Sequence, residues 1–247
     1  MTVTLDWAWA QRTGGNLSPR EYRHLVWVIL RDVPKALAAV LRYRLGRRGT
    51  GRTDLDQFPD SELARRVEGF VGEALTPHVL AHSYRTYFLG KALARQDGAD
   101  FDDELSYLAA LLHDLHLEHP TPGRCFAVTG GERAAMLLTE WGADTVTAQS
   151  VAAAACGHAT PGSDQNLSVP AGFVLAGSLA DVAGRRLDEI DPSWLAELQR
   201  RYPRHHLKQH LVPALRSEAD AVPHGRIHLA NRWASLPLLV RTAPYPE

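Results

Sequence analysis

The sequence has little of what would place it in several broad classes. Among 247 residues only Cys125 and Cys156 are cysteines, and no C-x-x-C pair occurs. That excludes a disulfide scaffold and a cysteine-rich zinc site, and leaves two thiols expected to be buried in a reducing compartment. No apolar run approaches the roughly 18 residues that cross a bilayer. The stretch MTVTLDWAWAQRTGG has no basic segment followed by an apolar one, so no signal peptide and a cytoplasmic location are expected. Neither charge dominates: 27 Lys and Arg stand against 28 Asp and Glu, for a net charge of -1. No global field attracts nucleic acid, and none is expected as a partner. Repeats, low-complexity tracts and sustained period-two alternation are also absent.

What is present is a globular composition, with 45% hydrophobic and 22% charged residues. A chain of this length buries a sizeable core. Apolar residues recur at helical spacing throughout, so an all-α fold is expected. Residues 1–18 read as irregular, with Gly14-Gly15 and Pro19 as punctuation. Ser18-Pro19 then starts a helix running to about Leu45, bent or split near Pro34. It contains the run Leu25–Leu30, followed by Arg31, Lys35, Arg42, Arg44, Arg47, Arg48 and Arg52 against Asp32 alone. Such a segment suits either packing on the main domain or peripheral contact of residues 20–48 with an anionic membrane.

Residues 46–60 read as a linker, which divides the chain into an N-terminal helical extension, 1–58, and a main domain, 59–247. In the main domain, helices are expected over Ser61 to Glu73, from Pro77 to Arg95, and after the cap at Asp102-Asp103. Further helices follow Gly130-Gly131 and cover 144–157, 171–187, Trp194 to Arg201, and Leu207 to about Ala221. The proline-bearing tail reads as irregular.

Chemistry concentrates at His82, the adjacent pair His113-Asp114, and Asp181, each on an expected helix. Adjacent residues on a helix point about 100° apart, so a metal at a helix end can sit between a neighbouring His and Asp. Imidazole and carboxylate suit divalent Zn, Fe, Mn or Ni. Four protein ligands leave room for water only in five- or six-coordinate geometry. Arg85 shares a helical face with His82 and suits an anionic group or a buried carboxylate. His78 shares that face too and reads as a packing residue. His206 and His210 have the i, i+4 spacing of a metal pair but read better as a solvated face.

The stretches AHSYRTYFLGKALA, 81–94, and DELSYLAALLHDLHLE, 103–118, resemble the HD-domain superfamily of metal-dependent hydrolases. With GHATPG, SLADVAGRRLD and RYPRHHLKQ further on, they look most like its cyanamide-hydratase-like branch. The resemblance covers roughly residues 60–215. It implies an HD-domain helical bundle in which His82, His113, Asp114 and Asp181 ligate one divalent metal. It further implies a catalytic or second-metal role for His158. The family usually continues H-D-L-G, and here His116 replaces the glycine. That implies either a strained turn at His116 or a continuing helix that brings His116 near the metal. A second metal would use His158 with His116 or His119. The implied reaction is attack of activated water on a small molecule, hydrating a nitrile-type group, with His158 and His116 or Glu118 moving protons. The alternatives are a phosphohydrolase using Arg85, Lys91, Arg124, Arg185 and Arg186, a dinuclear iron oxygenase, and a non-catalytic ligand-binding or membrane-docking module.

Overall fold

A computed structural model of the chain describes residues 3–245. Among these the fold is all-α, with isolated bridges but no strand. The helices are α1 (Trp7–Thr13), α2 (Pro19–Arg44), α3 (Glu62–Ala74), α4 (Pro77–Asp97), α5 (Asp103–Leu112), α6 (Phe126–Glu140), α7 (Thr145–Gly157), α8 (Pro170–Ala183), α9 (Pro192–Arg201), α10 (Leu207–Ala221), α11 (Arg226–Trp233) and α12 (Leu236–Thr242).

Their starts follow local chemistry. Ser18 Oγ accepts from the Glu21 amide while the Glu21 carboxylate accepts from the Ser18 amide, a reciprocal cap for α2. Asp102, Asp144 and Asp191 cap α5, α7 and α9 with their side-chain oxygens. Proline occupies the first turn of α2, α4, α8 and α9, where its missing N–H has no helical partner to lose.

Four expectations are corrected. Residues 1–18 are not wholly irregular: Asp6 accepts from the Trp9 amide to start α1, and Gly14, at φ 63°, ends it. Pro34 neither splits α2 nor ends it. Leu30 and Pro34 both lie on the exposed side, so the carbonyl that loses its amide partner faces water. Gly130 and Gly131 lie inside α6 rather than before it. A Cβ on Gly131 would come within 2.8 Å of the Ala152 carbonyl, so the missing side chain permits close contact between α6 and α7. The tail is helical through α11 and α12, with Pro237 in the first turn of α12.

α4 is buried on nearly every side, and its buried residues include the polar His82, Arg85 and Lys91. It packs most closely on α8, and glycine permits the approach: a Cβ on Gly177 would lie 2.0 Å from the Thr86 carbonyl oxygen. Two hydrophobic clusters result. One surrounds α4 and α5, and the other joins α2, α6, α10, α11 and α12. They meet along α8, where Ala180 belongs to the first and Val182 to the second. The charged residues described next lie at this junction.

Candidate metal centre

Four helices each deliver one part of the site. His82 comes from the middle of α4, and His113 caps the C-terminus of α5 with Asp114 in the following turn. His158 caps the C-terminus of α7, and Asp181 sits in the last turn of α8. All five are buried.

Three imidazoles face one carboxylate. Asp114 Oδ2 lies 3.2 Å from His113 Nε2 and 3.6 Å from His82 Nε2, and Asp114 Oδ1 lies 3.6 Å from His158 Nε2. The other ring nitrogens point outward to acceptors. His113 Nδ1 donates to the Ala110 carbonyl at 2.8 Å, His158 Nδ1 donates to the Ala155 carbonyl, and His82 Nδ1 donates to Asp181 Oδ2 at 2.7 Å. A carbonyl oxygen only accepts, so His113 and His158 carry a proton on Nδ1, and the Nε2 atoms of all three rings face Asp114.

His113 Nε2 is buried with no hydrogen-bond partner. Burial lowers the His82 pKa, and it pushes His158 down to about 3 with His113 adding to the effect. Both are therefore neutral near pH 7. For His113, burial acts downward, but Asp114 beside it makes the net shift upward. For Asp114, burial acts upward, yet His113, His158 and His82 hold it below the usual carboxylate range. One donor atom each from His82, His113 and Asp114 lie within 4.8 Å of one another. Imidazole nitrogens and an ionised carboxylate with an orphaned donor atom fit a divalent cation, whose binding displaces any proton from His113 Nε2.

The structure puts Asp181 behind His82. Its Oδ1 accepts from Arg85 Nε at 2.7 Å and Arg204 Nη1 at 2.8 Å, and its Oδ2 accepts from Arg85 Nη2 at 2.9 Å. Burial alone would raise the Asp181 pKa, but Arg85, Arg204 and His82 hold it well below the ordinary range. Arg85 is fully buried, and its remaining N–H groups donate to the Tyr202 and Pro203 carbonyls. Its role here is the buried-carboxylate pairing. Sequence reasoning did not assign Arg204 a role, although it is the second arginine of the RYPRHHLKQ stretch.

His116 takes neither expected form. α5 ends at Leu112, and His116 follows in a turn with ordinary negative φ. It is half-buried near His119 and Arg133, with burial lowering its pKa. No hydrogen bond or ion pair joins it to the Asp114 cluster. Glu118 lies elsewhere, bonded to His78 Nε2 at 2.9 Å and to Thr76, and His78 stacks on His210.

A cavity of about 450 Å3 opens from His82, Asp114 and His158 toward α2 and the C-terminal helices. The extension thus supplies one wall of the space beside the site.

The HD domain family model matches residues 79–171. The matched span holds His82, His113, Asp114 and His158, and Asp181 lies beyond it. No curated protein matches the chain.

Proposed function

We propose that this chain is a metal-dependent hydrolase or hydro-lyase in which His82 Nε2, His113 Nε2 and Asp114 hold one divalent ion. The observation that carries the reading is the buried, unbonded His113 Nε2 beside an ionised carboxylate. The HD-domain match supports the same superfamily. Zn, Fe, Mn and Ni all suit the donor set. Three protein ligands leave positions for water and substrate, as catalytic sites require. When bound, the ion lowers the pKa of its water from about 16 toward 7 and polarises the electrophile.

The chain's own residues do the rest. Asp181, expected from sequence as the fourth ligand, here orients His82, because its oxygens are engaged by Arg85, Arg204 and His82 Nδ1. The Ala110 carbonyl orients His113 in the same way. His158, placed with Nε2 facing the site, takes the proton from the attacking water and returns it to the developing anion.

The favoured reaction is addition of water to a nitrile-type carbon, giving an amide or urea. A neutral electrophile suits a site whose arginines are committed: Arg85 and Arg204 to Asp181, and Arg185 to Asp32 and Asp164. A phosphoester would want cations turned toward it. The placement of His158 on the second oxygen of Asp114 also favours, as an alternative, a dinuclear centre bridged by that carboxylate.

The test is turnover of nitriles and of phosphomonoesters, with and without added metal, by the wild type and by His158→Gln. Metal-dependent nitrile hydration lowered at least 100-fold in the variant supports the proposal. Turnover of phosphoesters alone would replace it with the phosphohydrolase reading. No turnover of either by metal-loaded protein would favour a ligand-binding module.

A further inference from the structure

We infer that the substrate is a largely apolar molecule of about eighteen non-hydrogen atoms, with its reacting polar group at one end. This rests on the hydrolase reading of the same site and names the class of molecule it takes.

Size follows from the cavity. An engineered protein cavity of about 150 Å3 holds one benzene ring. The space beside Asp114 is about three times as large, at about 450 Å3. Chemistry follows from its walls. Ile29 and Val33 of α2, Leu179 of α8, Leu211 of α10, Ile227 of α11 and Leu239 of α12 face this space from five separate helices. Charged groups occur in only two places along the lining. One is the His82, Asp114 and His158 end. The other is a cluster in which Arg185 Nη2 lies 2.5 Å from Asp32 Oδ2 and 3.1 Å from Asp164 Oδ2. Arg185 is the only cation among the described lining residues, and two carboxylates already surround it. A nucleotide or sugar phosphate would bury its charge against aliphatic carbon, at a cost that no wall of this cavity offsets.

The opening agrees with the interior. Leu37, Trp233 and Leu238 line the cavity and are also 60%, 39% and 58% exposed. Large apolar side chains gathered at the mouth of an apolar pocket mark a ligand-uptake surface. A linear or fused-ring hydrocarbon body lies between the helices, and its polar head reaches His158 and Asp114.

The test measures binding of straight-chain nitriles, from butanenitrile to decanenitrile, by calorimetry on full-length protein. Each series is run on metal-loaded and on metal-free protein, with metal content determined in parallel. Affinity is expected to rise about fourfold per added methylene, the value for moving a CH2 group out of water. Leu37→Asp, at an exposed mouth position, is expected to weaken the longest members at least tenfold and to leave metal content unchanged. Ala36→Trp, which fills part of the cavity from α2, is expected to abolish binding of the longest members while short ones still bind. Flat affinity across the series, or tighter binding of adenosine monophosphate than of decanenitrile, would overturn the inference. Metal binding with a flat series would leave the hydrolase reading standing without this substrate class. A steep series in protein that takes up no metal would support an apolar ligand and remove the hydrolase reading.

Discussion

His82 Nδ1 lies 2.7 Å from Asp181 Oδ2, on the side of the ring turned away from Asp114. A carboxylate behind a metal-facing histidine fixes the tautomer and makes the ring a better donor. Asp181→Asn keeps the size of the side chain and removes its charge. Metal affinity is expected to fall about 10–100-fold rather than vanish, measured by competition with a chelator. Two buried guanidiniums, Arg85 and Arg204, would also lose their counter-charge, so unfolding free energy is expected to fall by about 3–5 kcal/mol. Complete loss of binding in a folded variant would instead make Asp181 a direct ligand.

The His82–Asp181 contact depends on how closely α4 approaches α8. Gly177→Ala places a Cβ where the Thr86 carbonyl now sits, so the helices must separate. A stability loss of about 1–3 kcal/mol is expected, with weaker metal binding following from the displaced Asp181. Gly69→Ala in α3 is the control, because nothing lies within 4 Å of its added Cβ. It should be neutral or gain up to about 1 kcal/mol from helix propensity. Equal thermal midpoints for the two variants would contradict the tight crossing.

Acid is expected to weaken the metal-free protein before its carboxylates titrate. His158 drops from 6.5 to about 3 on folding, and His82 is also lowered. A histidine with a depressed folded pKa leaves the unfolded chain holding more protons below 6.5, so stability falls from there downward. Asp114 and Asp181 are depressed as well, so their contribution holds above 3.8 and is lost below it. His113 acts oppositely: its stabilisation is present below 6.5 and lost as pH rises through its raised folded value. Urea midpoints of metal-free protein should therefore decline between about pH 6.5 and 4, and His158→Gln should flatten that decline. An unchanged slope in the variant would show that His158 is not the group responsible.

The outer face of α2 bears on the expected membrane contact of residues 20–48. Trp27, Leu30, Leu41 and Leu45 are exposed there beside Arg31, while Leu25, Ile29 and Ala39 pack inward. No described helix is long and apolar enough to cross a bilayer. A membrane-facing α2 floats the protein with anionic vesicles, and Trp27→Glu with Leu41→Glu abolishes flotation. Failure of the wild type to float removes this partner.

Much of this was legible in the sequence, and the misses have physical causes. Helical periodicity and caps located α3, α4, α5, α7, α9 and α10 closely, because propensity and tertiary packing agree there. α1 and α12 span seven residues each, under two turns and too few to show a repeating apolar face, and they bury Trp9 and Val240. Gly130 and Gly131 read as a break, yet packing of α6 on α7 requires the missing side chain of Gly131. The His113-Asp114 pair and His82 stood out by residue type and order. Which ring nitrogen faces which carboxylate is not encoded in spacing, so the hydrogen bond from His82 Nδ1 to Asp181 was not legible. The cavity was invisible because its walls come from segments as distant as α2 and α12.

Metal content of the purified wild type beside Asp114→Ala, by elemental mass spectrometry, tests the central claim most directly. About one divalent transition-metal ion per wild-type chain, absent from a folded Asp114→Ala variant, is the expected result. Metal-free wild type that stays empty after reconstitution with Zn, Fe, Mn and Ni would contradict it.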